Sequence, residues 1–327
     1  MAADMTPPAG ARAFLAAHGW GDAAVLPLAG DASFRRYFRV VDGQCSAVLM
    51  DAPPPHEDTR PFVAVARWLA ERGFAAPAIH ALDERQGLVL IEDFGDARMR
   101  EAIDDDPAGA PALYADAIDL LVALRTHRAG DWRPYDRAEL QREAALFVEW
   151  YCPAVGLSVD RQGYTAAWDA VLGHAQADQP VTVLRDYHAE NLMLVGAERK
   201  HGLLDFQDAL AGHPAYDLVS LLQDARRDVD PAIEAAMLAR YRDATGEGEA
   251  FMNAYHVLGA QRNAKIVGIF TRLWQRDGKP RYPELCPRVW RYLERDLSMP
   301  VLAPVAAWFD ANVPAELRGD PLILSAR

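Results

Sequence analysis

Leu184-Arg185-Asp186-Tyr187-His188-Ala189-Glu190-Asn191, followed by Leu203-Leu204-Asp205-Phe206, is the stretch whose reading decides the fold. Val181–Leu184, Leu192–Val195 and Gly202–Leu204 are apolar runs too short for helices, and they predict small buried strands. One acid, Asp186, follows the first run, and another, Asp205, follows the third. An Asp and an Asn five residues apart on a strand–loop–strand, with a second Asp fourteen residues further on, suit phosphoryl transfer. That reaction spreads negative charge over the transferred group, so the protein chiefly supplies positioning and electrostatic stabilisation. One carboxylate must orient the attacking hydroxyl, while another, with an amide oxygen, holds Mg²⁺ against the phosphates. Hard oxygen ligands, with no Cys or paired His nearby, argue against zinc. Any one of these residues alone reads as a cap or turn residue. Together, at this spacing and between apolar strands, they point to chemistry.

Outward from this stretch, residues 1–95 read as mixed α/β. A short helix over residues 8–18 ends at Gly19, and a strand over Ala24–Leu28 runs into the turn residues Gly30 and Asp31. In Phe34–Val41 the alternation puts Phe34, Arg36, Phe38 and Val40 on one face and Arg35, Tyr37 and Arg39 on the other. Ser46–Met50 is a third strand. The prolines of residues 50–60 predict an extended or polyproline connection. Thr59 is the expected N-cap of a helix with Pro61 in its first turn. Phe62, Val65, Ala66 and Leu69 line that helix, which stops at Gly73. Ile79–Asp83 and Leu88–Glu92 predict a hairpin.

Residues 96–327 are largely helical by pattern. Leu113, Ala117, Leu120, Leu121 and Leu124 share a face, as do Leu140, Ala144, Phe147 and Tyr151, and Ile266, Ile269, Phe270, Leu273 and Trp274. These stripes read as core. The layout predicts an α+β protein with a small β-rich N-lobe, 1–95, and a larger helical C-lobe, 96–327, carrying a small β insert.

Bulk properties exclude several classes. A formal charge of −13 over 327 residues argues against nucleic acid as the main partner. No run approaches the ~18 apolar residues of a membrane span, and the N-terminus lacks a secretory pattern, so no membrane partner is expected. Cys45, Cys152 and Cys286 are far apart and form no metal-ligand spacing, as expected of idle thiols in a reducing cytoplasm.

The loop at 184–191 resembles the kinase catalytic loop H-R-D-x-x-x-x-N, and Asp205-Phe206-Gln207 resembles the D-F-G metal site. More closely, the chain is similar to the aminoglycoside phosphotransferase/choline kinase superfamily, whose loop reads H-G-D-x-H-x-x-N. Leu184 stands where that family has His, and Gln207 where D-F-G has Gly. The resemblance implies a bilobal protein-kinase-like fold with ATP and Mg²⁺ as cofactors. It implies Asp186 as the catalytic base and Asn191 and Asp205 as metal ligands. His188 falls where protein kinases carry a phosphate-contacting Lys, and two readings stand: a γ-phosphate contact or a structural hydrogen bond. Asp217 is expected to cap the following helix and brace the loop.

The same resemblance puts Ser33 and Phe34, in Gly30-Asp31-Ala32-Ser33-Phe34, over the nucleotide phosphates. It makes Glu92-Asp93-Phe94-Gly95 the hinge, with Glu92 and Phe94 on the adenine. One departure is plain. Kinases carry a strand-three Lys for the phosphates, but Met50 stands there, and the only lysines are Lys200, Lys265 and Lys279. Arg36 and Arg39 are the candidate replacements, with solvated strand arginines as the equal alternative.

Gly30–Arg39, Leu49–Pro54, Leu184–Asn191 and Gln261 through Lys279 together resemble the bacterial anomeric N-acetylmuramate/N-acetylglucosamine kinases. That branch implies phosphorylation of the C1 hydroxyl of an amino sugar in peptidoglycan recycling, coupled to a sugar-1-phosphate nucleotidyltransferase. The alternatives are another small-molecule kinase, with an aminoglycoside or choline-like acceptor, and an inactive nucleotide-binding module. Arg272, Arg276, Lys279 and Arg281 are expected to form a solvated helix end, with one available for a lactyl carboxylate.

Overall fold

The structure is a computed structural model and describes residues 6–30, 34–196 and 199–325. In chain order the elements begin α1 (Ala11–Ala17), β1 (Ala24–Gly30), β2 (Arg36–Asp42), β3 (Cys45–Asp51), α2 (Thr59–Ala70), β4 (Ile79–Asp83), β5 (Leu88–Glu92) and α3 (Met99–Asp105). Next come α4 (Ala110–Leu124), α5 (Arg137–Ala144), α6 (Cys152–Ala154), α7 (Arg161–Val171), β6 (Val181–Val183), β7 (Leu192–Val195), β8 (Arg199–Leu203) and β9 (Leu210–Gly212). The chain closes with α8 (Ala215–Leu222), α9 (Pro231–Thr245), α10 (Glu249–Gln275), α11 (Cys286–Leu297), α12 (Ala303–Asn312) and α13 (Pro321–Leu324). Two compact units result: Met1–Ala110 with Ala189–Ala209, and Pro111–His188 with Leu210–Arg327.

The first unit is built on a five-stranded antiparallel sheet in the order β1-β2-β3-β5-β4. Residues directly opposite on neighbouring strands share a face. Phe38 pairs with Leu49 and Val40 with Ala47, and these join Ala81, Leu88 and Leu90 under Ala11, Phe14 and Leu15 of α1. Each buried Phe, Leu or Val among them contributes roughly 1.5–3 kcal/mol of hydrophobic stabilisation. Tyr37 opposite Met50 and Arg39 opposite Val48 occupy the other face.

Helix α2 starts one residue earlier than Thr59 capping requires. Asp58 is the N-cap, its carboxylate accepting from Arg60 N at 2.9 Å, and Thr59 is the first helical residue. The expected extended proline segment is instead a turn, with His56 N and Glu57 N both donating to Pro53 O at 3.0 and 3.1 Å. The β7–β8 hairpin joins this unit through Leu194 N to Ala97 O and Leu203 N to Ala75 O, each 2.7 Å. By packing, Asn191 and Asp205 therefore go with the sheet, although the 95/96 division assigns them to the C-lobe.

The second unit is organised around α10, which at 27 residues is about 40 Å long. It is buried almost all round, as a central helix must be. Buried amides tie it to its neighbours: Gln261 Nε2 donates to Leu140 O at 2.9 Å and Asn263 Nδ2 to Gln223 Oε1 at 2.7 Å. The stripe Leu140–Tyr151 does not continue as one regular helix. Phe147–Tyr151 forms a wider π turn, and its backbone comes so close that a Cβ at Gly268 would lie 2.4 Å from the Leu146 carbonyl. Phe147 and Tyr151 join Tyr164, Trp290 and Phe309 in an aromatic cluster.

Two sequence expectations change here. Among the described residues the insert holds four strands rather than three, because Leu210–Gly212 pairs with β6 while β7 pairs with β8. Pro107–Leu124 is, by length and composition alone, apolar enough to cross a membrane. It carries acids, however, and Asp119 is ion-paired with Arg240 at 2.6 Å, while the Ala117 carbonyl accepts from the buried Tyr187 hydroxyl at 2.7 Å.

Candidate active site

In the second unit, the loop after β6 is held by its backbone. Leu184 N and Arg185 N donate to the two carboxylate oxygens of Asp217 at 2.7 and 2.9 Å, and Ser220 Oγ donates to Arg185 O at 2.9 Å. Arg262 Nη2 donates in turn to Ser220 Oγ at 2.9 Å. Arg185 has φ +71°, a left-handed conformation that costs a non-glycine residue on the order of 1–3 kcal/mol and persists only where surroundings impose it. Strain of this kind, immediately before Asp186, is a mark of a functional loop.

The Arg185 side chain is fixed as well. Its guanidinium bonds Glu143 and lies 5.7 Å from the Tyr135 ring centre. Lys265 Nζ donates to Glu143 at 3.1 Å and contacts the Tyr216 hydroxyl at 2.6 Å. Burial works to raise the Glu143 pKa, but Lys265 and Arg185 outweigh it and bring the carboxyl down to about 2. Glu143 is therefore a permanent carboxylate that anchors the loop's arginine.

Asp217 sits inside the first turn of α8 and does not cap it. Pro214 holds the N-cap position. The bracing half of the expectation stands in the hydrogen bonds above. Burial pushes the Asp217 carboxyl up to about 7, against the pull of its two N–H donors.

His188 is buried at 2 % exposure, and its Nε2 lies 3.1 Å from Arg226 Nη1. A guanidinium only donates, so Nε2 accepts and the proton sits on Nδ1. Burial lowers the His188 pKa to about 3, which keeps the ring neutral. Asp186 is half-buried, with its N–H bonded to Leu184 O at 2.9 Å.

In the first unit, Asn191 and Asp205 lie side by side, with Asn191 Nδ2 3.5 Å from Asp205 Oδ2. Asp205 has φ +55°, a second left-handed residue, and Gln207 Nε2 donates to its Oδ1 at 2.9 Å. An amide oxygen beside a partly exposed carboxylate suits Mg²⁺, which binds through one or two protein oxygens and keeps water and phosphate as its other ligands. Among the described residues no group of three or more His, Cys, Asp or Glu side chains could hold a metal. Phe206, next to Asp205, stacks on Phe62 of α2 with ring centres 5.1 Å apart.

The sequence candidates around the sheet fall differently. Ser33 lies outside the described residues. Phe34 is 64 % exposed, stacks on His56, and donates its N–H to Glu57 at 3.1 Å. Glu92 turns back to accept from Ala78 N at 3.1 Å. Phe94 covers β8, where a Cβ at Gly202 would lie 2.7 Å from its ring.

Arg36 faces the α1 side of the sheet, paired with Asp51 at 2.6 Å and with Thr6 O at 3.0 Å. Arg39 lies on the Met50 face but is held by Asp93 at 2.8 Å and Asp96 at 2.9 Å. The sequence reading passed over Arg35. It is buried at 8 % exposure, with Nη2 3.9 Å from Asp205 Oδ1 and Nε 3.7 Å from Glu57 Oε2. The available signal was its alternation with Tyr37 and Arg39, which needed the strand register to become informative.

The basic cluster at the end of α10 is partly neutralised. Arg276 is exposed and pairs with Asp277 at 2.7 Å, Arg281 lies over the Tyr282 ring, and Arg272 is half-buried.

Comparisons with known proteins agree with this architecture. The model of the "Phosphotransferase enzyme family" matches residues 24–255. The chain is 41% identical to the N-acetylmuramate/N-acetylglucosamine kinase of Caulobacter vibrioides, over 94% of this chain and 96% of that one. It is 43% identical to the N-acetylmuramate/N-acetylglucosamine kinase of Pseudomonas aeruginosa, over 85% and 86% of the two chains. The solved structure of a choline/ethanolamine kinase family protein of Mesorhizobium loti covers 91% of this chain and 98% of its own, with a TM-score of 0.64 at 16% identity. The fold is thus the α+β kinase-like one expected from the sequence, with a small antiparallel sheet and a mostly helical remainder.

Proposed function

This chain belongs to the phosphotransferase enzyme family, and from that premise we propose that it is an ATP-dependent kinase of N-acetylmuramate and N-acetylglucosamine. The acceptor is the anomeric C1 hydroxyl and the product a sugar 1-phosphate. The observation that carries this reading is the identity of 41% and 43% to two kinases of those names over most of each chain. In this reading Asp186 accepts or orients the proton of the attacking hydroxyl, and its locked loop keeps the carboxylate aimed. His188, neutral and bonded to Arg226, acts as a positioning residue of the same loop.

Asn191 and Asp205 hold Mg²⁺, which when bound neutralises charge on the phosphate oxygens. We assign Ser33 and Phe34 to the phosphates and the Glu92–Phe94 backbone to the adenine. A sugar 1-phosphate is the substrate class of nucleotidyltransferases, so we place such an enzyme next in sequence. Three thiols without a disulfide support a reducing compartment, the cytoplasm.

The test is ADP release with N-acetylmuramate, N-acetylglucosamine, kanamycin and choline, followed by a reducing-end assay of the product. The two amino sugars should react, and their products should lose reducing character. Turnover of only kanamycin or choline, or products with intact reducing ends, would refute the assignment.

A further inference from the structure

Glu143 keeps its charge in surroundings that oppose it. It is buried in the last turn of α5, and burial works against the carboxylate. Lys265, in the middle of α10, counters burial more strongly than Arg185 does. Two cations thus share one anion. A buried ion pair regains little of its desolvation cost as stability, and apolar side chains of similar volume are often neutral or better in its place. Stability alone is therefore a weak reason for a buried lysine here. Geometry supplies a stronger one.

The two oxygens of Glu143 have different partners. Oε1 accepts from the Arg185 guanidinium. Oε2 accepts from the Tyr135 hydroxyl and, at 3.1 Å, from Lys265 Nζ. An ammonium group only donates, so Lys265 Nζ also donates to the Tyr216 hydroxyl oxygen, at 2.6 Å. Held from two sides at Oε2, the carboxylate cannot turn about its last bond, and Oε1 stays aimed at Arg185. The Arg185 side chain is then the third hold on a residue whose N–H is bonded to Asp217, whose carbonyl accepts from Ser220, and whose φ is +71°. Asp186 follows directly along the chain.

We propose that Lys265 is a positioning residue for phosphoryl transfer. By fixing Oε2 of Glu143 it holds the Arg185 side chain, and with it the strained turn that aims the Asp186 carboxylate at the acceptor hydroxyl. Lys265 touches neither reactant in this role. Its effect passes through Glu143 alone, because Glu143 is the group that links it to Arg185. The proposal rests on the kinase reading and the assignment of Asp186 made above.

Steady-state kinetics with ATP and N-acetylglucosamine test it, folding being checked by thermal melting. Wild type that turns over neither amino sugar overturns the kinase reading and this proposal with it. An Asp186→Ala protein with wild-type kcat removes the residue to be positioned, and the proposal falls with that assignment. If both stand, Lys265→Met should lower kcat by about 10–100-fold, the cost of misplacing the carboxylate by up to about 1 Å. The KM for ATP should stay within about threefold, since only transition-state geometry is lost. Glu143→Gln should show the same split. The double variant should be no slower than the slower single one, because both changes cut the same link. Losses that multiply in the double variant refute the proposal. So does a kcat within about threefold of wild type in folded Lys265→Met, or a KM for ATP that rises as far as kcat falls. Should Lys265→Met not fold, Tyr216→Phe takes its place, keeping every charge and loosening only the ammonium. Its expected loss is about tenfold in kcat, and a value within about twofold of wild type refutes the proposal.

Discussion

Asp217 offers the sharpest test of how the loop before Asp186 is held. Its carboxylate accepts two N–H bonds, from Leu184 at 2.7 Å and Arg185 at 2.9 Å, at a position 3 % exposed. Above pH 7, where this carboxyl is ionised, Asp217→Asn keeps one oxygen as acceptor, while the new NH₂ group faces a second N–H donor. One charge-assisted bond, worth roughly 1.5–3 kcal/mol, is lost and a buried donor is stranded at about 1–3 kcal/mol. A destabilisation of roughly 2–4 kcal/mol is expected by urea denaturation, relaxation of the loop absorbing the remainder. Part of that relaxation should be release of Arg185 from φ +71°. A displacement of Asp186 by about 1 Å then costs on the order of 100-fold in kcat. The KM for ATP should change much less, since no residue assigned to the nucleotide touches Asp217. Loss of stability with kcat within threefold of wild type would show that Asp217 braces the fold and not the catalytic geometry. Unchanged stability and unchanged kcat together would remove it from the network.

Three further outcomes follow from the same structure. Asp186→Ala should abolish turnover while calorimetry shows ADP binding largely retained; a kcat near wild type would remove it from the mechanism. Asp205→Ala should weaken Mg²⁺-dependent nucleotide binding, and an unaltered metal dependence would count against its ligand role. Acid stability should report on Glu143, whose pKa is lowered from 4.5 to about 2, so its stabilisation is present above pH 4.5 and lost as pH falls toward 2. The stability gap between wild type and Glu143→Gln should narrow by on the order of 3 kcal/mol across that window. His188, lowered to about 3, acts in the same direction between pH 6.5 and 3 in both proteins and cancels from the gap. A gap constant with pH would show that the cluster does not hold Glu143 ionised.

Local order carried the parts of this protein that sequence alone determined. The hairpin Ile79–Asp83/Leu88–Glu92, the helix over Phe62–Leu69 and the β6 and β7 runs follow from period and turn chemistry within a few residues, and each forms where that pattern puts it. The spacing of Asp186, Asn191 and Asp205 is likewise a property of one short stretch, which is why the sequence alone points to phosphoryl transfer. Even the departure at Met50 was visible as an absence.

What the tertiary structure decided depends on register and long-range charge. Whether Arg35 or Arg36 approaches Asp205 turns on strand parity, and a shift of one residue exchanges the two faces of a sheet. Glu143, Lys265 and Tyr216 gather around Arg185 from positions 42, 80 and 31 residues away, and no window of sequence contains them together. Asp217 looked like a helix cap because caps are local, whereas its actual partners lie 33 and 32 residues earlier. A buried charge takes its role from whatever the fold brings against it, and that is a property of packing rather than of order along the chain.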